Sequence, residues 1–511
     1  MHVLEVGLEH TDIVIVGAGI SGIGTAHHLR QKCPDKRFVI LEGREAIGGT
    51  WDLFRYPGVR SDSDMHTLGY KFKPWREAKA IADGPSILRY VNEVAEADRV
   101  HEHIRFGHRV THASWSSESA TWTVTAEKVE TGETICFTCN MLLMCGGYYR
   151  YDRGHDPGFK GTEEFKGTIA HPQFWPEDLD YKGKRVVVIG SGATAMTVVP
   201  AMAGDAASVV MLQRSPTYVV SWPSQDKVAN RLRRFLPEKL AYAITRRKNV
   251  RNDQNFYRRT RVEPEKVKAE LIGGVRAELG EDYDVETHFT PSYNPWDQRL
   301  CLVPDADLFE AIRGGKASVV TDTIDHFTQK GIRLGSGEEL EADIIVTATG
   351  LELAVMSGVS LEVDGAPVSL PETWAYKGMM YSGVPNLVQT FGYINASWTL
   401  RVDLTAEYTC RLIARMDELA MKKCVPELRD SDRAMPARPW IDDFPAGYMQ
   451  RAMHLLPRQG DRDPWRHTQN FDEDIRLVRE APVGDDVLRF SRPAAEVASP
   501  AREERQLSAA R

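Results

Sequence analysis

Hydrophobic and polar positions fall into two rhythms along the chain, and their alternation predicts its elements. Asp12-Ile-Val-Ile-Val16 is a continuous apolar run, the pattern of a strand buried on both faces. The turn Gly17-Ala-Gly19-Ile-Ser-Gly22 follows at once, then a helical pattern through about Lys32, then the run Phe38-Val-Ile-Leu-Glu42. The set repeats downstream. Arg185-Val-Val-Val-Ile189 leads into Gly190-Ser-Gly192-Ala-Thr-Ala195, a helix through about Ala203 and the strand Ser208–Gln213. From about Asn92 to Met144, short strands alternate with turns, and Met141–Gly147 reads as a buried strand ending in glycines. Residues 224–290 break the rhythm with a helical, basic stretch that includes Arg246-Arg-Lys-Asn-Val-Arg251. Glu341–Gly350 is again a strand, running into Ala-Thr-Gly. Strand, glycine turn, helix and strand, given twice, predict an α/β protein with two Rossmann-type dinucleotide-binding domains and a helical insertion.

The two units differ where chemistry is read. In each, the first glycine permits the tight turn and the second lets backbone approach a pyrophosphate. The third (Gly22, or Ala195 in the second unit) lets helix and strand pack closely. The anion would rest on the N–H groups of the helix N-terminus. After the second strand the first unit places Glu42, which suits ribose hydroxyls; the second places Arg214 and Ser215, where an arginine attracts a 2′-phosphate. The first unit is therefore expected to bind FAD and the second NADPH, the alternative for Arg214 being a surface charge. This predicts an FAD-binding domain from 1–150 and 346–490 and an NADP-binding domain from 151–223 and 291–345. The helical insertion spans 224–290, and a disordered tail 491–511. Gly48, Gly49 and Gly58 would let main chain lie against a flat ring or a phosphate. Asp62, in Ser-Asp-Ser-Asp, reads from local chemistry as a turn or cap carboxylate.

Composition narrows the class. With 511 residues and a formal net charge of −8, the chain is long enough for several domains and lacks the basic balance of a nucleic-acid binder. No apolar run approaches the ~18–20 residues that span a bilayer, and no secretory signal is visible. Seven scattered cysteines fit a reduced cytoplasmic interior. Cys136-Phe-Thr-Cys139 lies on strand-like sequence with no second pair nearby, so no metal site is expected. The basic insertion reads as a solvated helical element shaping a substrate pocket, with weak attraction to an anionic membrane surface as the alternative.

Between the two units lies Phe165-Lys-Gly167-Thr-Ile-Ala-His171-Pro-Gln-Phe-Trp175-Pro176. This string resembles the fingerprint of type I Baeyer–Villiger monooxygenases. Gly49, Trp51, Tyr56, Pro57, Gly58 and Asp62 resemble a second motif of that family. Tyr293–Cys301 narrows the likeness to its ethionamide-activating branch, and the resemblance covers nearly all the chain. The likeness implies FAD beside Gly49, Trp51 and Asp62, with Arg299 next to the flavin and Asp62 holding it. It implies catalytic roles for Arg299, Asp62 and His171, the last acting through position. Gln298 stands where several relatives have a lysine that meets the NADPH 2′-phosphate, which leaves more of that selectivity to Arg214. Ala348-Thr-Gly350 resembles the hinge of two-dinucleotide flavoproteins. Lys377-Gly-Met-Met and Phe391–Thr399 resemble segments near flavin and substrate, with core packing the alternative for Trp398.

The reaction this implies uses NADPH and O2 to insert one oxygen atom into a ketone, giving an ester or lactone. It would also oxygenate thioethers or thioamides, through a C4a-peroxyflavin, since side chains alone do not activate oxygen. Two other functions fit both folds: a flavin N- or S-monooxygenase without ketone activity, and a non-catalytic NADP(H)-sensing flavoprotein. A disulfide reductase would need a cysteine pair near the flavin, and residues 48–62 contain none.

Overall fold

The computed structural model describes residues 9–442, 444 and 446–496. Two sheets carry the molecule. In the first, strand Glu9–Val16 pairs in parallel with Phe38–Leu41 on one side and Thr134–Met144 on the other. Ile13 through Val16 are buried on both faces, which is why the run carries no alternation. The sheet continues through antiparallel Thr121–Lys128 and His108–Ser116, whose alternating burial matches a sheet with unlike faces. Late in the chain, Leu387–Gln389 adds in parallel to Thr134–Met144, and helix Trp398–Glu418 packs on helix Ile20–Lys32. The second sheet is parallel throughout, in the order Ala317–Thr321, Ser208–Gln213, Arg185–Ile189, Ile344–Thr347, Thr168–Ala170.

The chain passes from one sheet to the other twice, by adjacent strands. Tyr149–Gly154 leads out, Leu351–Leu353 leads back, and the two pair antiparallel as a ribbon. Residues 227–289 form four helices: Lys227–Phe235, Glu238–Val262, Pro264–Leu279 and Val285–Phe289. Arg246 departs from the solvated face expected of its basic stretch. It is 9% exposed, and its Nη1 donates to the carbonyls of His66 (3.0 Å), Thr67 (3.0 Å) and Gly69 (2.6 Å). An arginine's five donors suit it to tie a helix to three backbone oxygens at once.

Two further expectations are corrected. Residues 92–103 are not strand and turn: Gly84–Ala97 is a helix, capped by Asp83 accepting from the Ser86 N–H, and Val100–His103 is a 3₁₀ turn. The apolar positions Ile87, Tyr90, Val91 and Val94 form its buried stripe. The tail expected to be disordered from 491 is ordered at first. Ser491 ends a strand paired with Lys423–Pro426, and the N–H groups of Ala494 and Ala495 donate to Ser117 and Glu118. Residues 497–511 lie outside those described. Among the described residues no helix is long and apolar enough to cross a membrane.

Candidate active site

Both glycine turns open onto one cleft of about 1810 Å³. In the first turn, a Cβ on Gly22 would meet the Gly17 carbonyl oxygen at 1.9 Å, so only glycine lets this helix begin so close to the strand. Gly19 caps helix Ile20–Lys32 without a side-chain acceptor, and the backbone of Gly48 and Gly49 lies directly against it, Gly48 by a parallel bridge. The leading N–H groups of that helix are thus left for a ligand. Glu42, just past strand Phe38–Leu41, is 5% exposed. Its carboxylate accepts from the Ala18 N–H (2.6 Å) and the Arg44 N–H (2.9 Å). Burial pushes its pKa up, and the two N–H donors oppose that. Trp51 lines the same wall, half-buried.

The second turn is more open. Gly192 caps helix Ala193–Ala203, again without a side-chain acceptor, and a Cβ there would meet nothing within 4 Å. Gly190 closes on the Ala348 carbonyl, and Ala195 is buried in the core beneath. Arg214 follows strand Ser208–Gln213, exposed on the cleft wall, and makes no ion pair or hydrogen bond among the described residues. Ser191 Oγ donates to the Ser215 carbonyl at 3.2 Å, tying the turn to the strand end. These features fit both cofactors: two uncapped helix starts cleared of side chains, a buried acid on one side and an unpaired arginine on the other.

Between the turns, Arg299 from the second unit reaches Asp62 from the first, Nη2 to Oδ2 at 2.7 Å. The Asp62 charge holds the arginine's pKa well above its ordinary value, outweighing the burial that opposes it. The guanidinium lies inside the cleft, yet 36% of the side chain faces open space. Burial likewise raises the phenols of Tyr148 and Tyr149, whose hydroxyls are 2.9 Å apart beside Arg299. Tyr448, on helix Gly447–Ala452, completes this aromatic wall. The sequence did not single out these three tyrosines. Trp398 is both wall and packing, its Nε1 donating to Ser21 Oγ (2.8 Å) and its ring 5.3 Å from that of Tyr148.

His171 lies away from the arginine, against the ribbon. Its Nδ1 accepts from the Gln173 N–H (3.1 Å), which places the neutral ring's proton on Nε2. Nε2 is buried, faces the Gly350 carbonyl and makes no hydrogen bond of ordinary geometry. A Cβ on Gly154 would meet the imidazole at 2.1 Å, and Gln173 Nε2 donates to the Arg150 carbonyl at 2.6 Å. Burial lowers the pKa of His171, so it is uncharged at neutral pH.

Some expected neighbours lie elsewhere. Gly58 is not among the residues lining the cleft but packs on helix Ala193–Ala203, a Cβ there falling 2.6 Å from that of Ala201. Arg60 crosses the same contact, pairing with Asp307 and donating to the Met196 carbonyl at 3.3 Å. Lys377 through Met380 are buried away from the cleft. Lys377 Nζ lies 3.4 Å from Asp485 and over the rings of Tyr376 and Tyr408. Cys136 is half-buried and Cys139 fully buried, and no cluster among the described residues would hold a metal.

Similarity to characterised proteins now bears on this geometry. Residues 15–83 match an NAD(P)-binding Rossmann-like domain, and residues 76–266 a flavin-binding monooxygenase-like family. The FAD-containing monooxygenase EthA of Mycobacterium tuberculosis is 53% identical over 488 residues, covering 95% of this chain and 99% of the relative. The chain belongs to the FAD-containing monooxygenases. A probable FAD-binding monooxygenase, AlmA of Acinetobacter baylyi, is 47% identical, covering 95% of this chain and 97% of AlmA. The fold of this monooxygenase is that of steroid monooxygenase bound to NADP (TM-score 0.74, 22% identity, 94% and 100% covered). It is also that of OTEMO in complex with FAD and NADP (TM-score 0.75, 21% identity, 94% and 99% covered). The monooxygenase is an oxidoreductase dependent on FAD and NADPH, with two Rossmann-type domains.

Proposed function

We propose that this monooxygenase inserts one atom of O2 into ketones, giving esters or lactones, and oxygenates soft sulfur in thioethers or thioamides. The observation that carries this reading is the Arg299–Asp62 ion pair, which places a fixed cation between the two cofactor turns. FAD and NADPH, when bound, would supply the reducing equivalents and the activation of O2 that side chains lack.

The chain's own groups do the rest. Gly17, Gly19, Gly22 and Gly49 would clear backbone for the FAD pyrophosphate, Glu42 would accept from its ribose, and Trp51 and Asp62 would line the ring's site. Gly190, Gly192 and Ala195 would do the same for NADPH, with Arg214 and Ser215 to meet its 2′-phosphate. Arg299 stabilises the oxyanion that develops on an attacked carbonyl, and Asp62 holds the guanidinium in place. A preorganised cation in a half-closed cleft needs little rearrangement when charge appears. His171 is a positioning residue: neutral and wedged on the ribbon, it relates the two domains and transfers no proton. The domains divide at 150, 223, 290 and 345. Seven free cysteines suit a reducing cytoplasm.

The test is product identification by mass spectrometry after incubation with NADPH, O2 and a mixed panel of ketones and thioethers. Esters or lactones support the proposal. Sulfoxides alone identify a sulfur monooxygenase, and a bound yellow flavin with no substrate-dependent NADPH consumption identifies a sensor.

A further inference from the structure

The hairpin of helices Lys227–Phe235 and Glu238–Val262 turns apolar side chains outward. Its inner face is satisfied by the protein: Ala229, Ala241, Tyr242, Thr245 and Arg246 are buried. On the outer face of the first helix, Val228, Leu232 and Phe235 follow one another at i, i+4 and i+7, one stripe. On the second, Leu240 and Ile244 begin a stripe that Arg247 and Arg251 continue, all four exposed. Phe235 is 77% exposed, Val228 49%, Leu240 48% and Ile244 41%. Large apolar side chains grouped at such exposure mark a surface made to be covered.

Charge says by what. Residues 227–251 hold nine Lys and Arg against one acid, Glu238, a formal balance of +8. The whole chain is −8, which leaves −16 on the remainder. Lys227, Arg231, Arg234, Lys239, Arg247 and Arg251 are exposed around the apolar stripes. The segment's ion pairs among the described residues are Glu238 to Arg76, Lys248 to Asp226 and Arg246 to Asp403, and they use none of these six. A second copy meeting this face symmetrically would bring +8 against +8. An anionic lipid surface matches both features, taking apolar side chains at the acyl boundary and cations among its headgroups. The acidic remainder would be repelled from the same surface, so the charge asymmetry also orients the molecule.

We propose that this hairpin docks the enzyme on an anionic bilayer, lying in the interface without crossing it. The holoenzyme is sedimented with mixed phosphatidylglycerol–phosphatidylcholine vesicles and with pure phosphatidylcholine vesicles. Binding is expected only to the anionic ones, with release at ~1 M salt, where the screening length falls to about 3 Å. Two double variants follow, Arg231→Glu with Arg234→Glu, and Phe235→Ser with Leu240→Ser. Each is expected to lower the bound fraction at least ~10-fold while NADPH oxidation stays at the wild-type rate, because all four side chains are exposed and outside the cleft. Equal binding to both vesicle types, no binding to anionic vesicles, or variants that bind like wild type would overturn the proposal. So would a wild-type oligomer that the Phe235→Ser, Leu240→Ser variant dissolves with no vesicle binding, which would make the face a contact between copies. The readout is binding, so it stands or falls separately from the substrates proposed above.

Discussion

Replacing Arg299 by alanine removes the cleft's fixed cation and its ion pair with Asp62. Loss of a preorganised electrostatic donor from an active site costs about 2.7–4 kcal/mol, or ~100- to 1,000-fold in turnover. With 36% of the Arg299 side chain open to the cavity, solvent screens part of the field, so the lower end of that range, ~100-fold, is the expected loss in ester formation. Sulfide oxygenation leaves no oxyanion on a carbonyl and should fall less. Asp62→Asn should be milder still, ~10-fold, since the guanidinium keeps its charge and loses only the partner that orients it. Oxygen not delivered to substrate should leave as hydrogen peroxide. Ester, sulfoxide and peroxide are measured per NADPH consumed in wild type, Arg299→Ala and Asp62→Asn, with flavin absorbance confirming that each variant holds FAD. Ester formation by Arg299→Ala at the wild-type rate and yield refutes the assignment and leaves Arg299 a structural charge.

Arg214→Glu should weaken NADPH far more than NADH, by lost attraction and added repulsion at the 2′-phosphate; equal losses in KM for both would remove Arg214 from that role. His171→Ala should keep FAD bound and slow turnover, because it frees the ribbon without touching the turns; loss of flavin or a collapsed melting temperature would make it a packing residue. His467 is buried, its Nδ1 donating to the Trp440 carbonyl (3.1 Å) and its Nε2 accepting from Gln469 Nε2 (2.8 Å), and burial pushes its pKa down to about 3. Between that value and the ordinary ~6.5 the unfolded chain binds the proton and the native one does not, so this contribution is intact above pH ~6.5 and is lost by about 1.4 kcal/mol per unit below it. The drop in melting temperature from pH 7 to pH 5 should therefore be shallower in His467→Gln, and identical slopes would dismiss the effect.

What the sequence showed was whatever is periodic or local. Buried strands such as Ile13–Val16 carry their own signature, and a glycine turn between strand and helix admits few geometries. Helix Gly84–Ala97 was as legible in principle, with Asp83 as cap, Pro85 in its first turn and an i, i+3, i+4, i+7 stripe from Ile87 to Val94. It was overrun by the strands that follow. Gly58 shows the opposite limit. A glycine marks close approach without saying of what, and here the approaching body is the helix of the other domain. Tyr148, Tyr149 and Tyr448 meet around Arg299 only through tertiary packing, and nothing in their local pattern sets them apart from core aromatics.

The ribbon has a consequence for how the protein is made. Because Tyr149–Gly154 and Leu351–Leu353 run side by side, the whole second sheet, 168–347, is threaded between two neighbouring points of the first. All five of its strands exist once residue 347 has left the ribosome. The first sheet is still waiting then for Leu387–Gln389 against Leu142–Met144 and for helix Trp398–Glu418 against Ile20–Lys32. Domains fold as units as their residues emerge. The half of the molecule begun first is thus finished last, and the NADPH fold can stand complete while the FAD cradle is still open to receive its flavin.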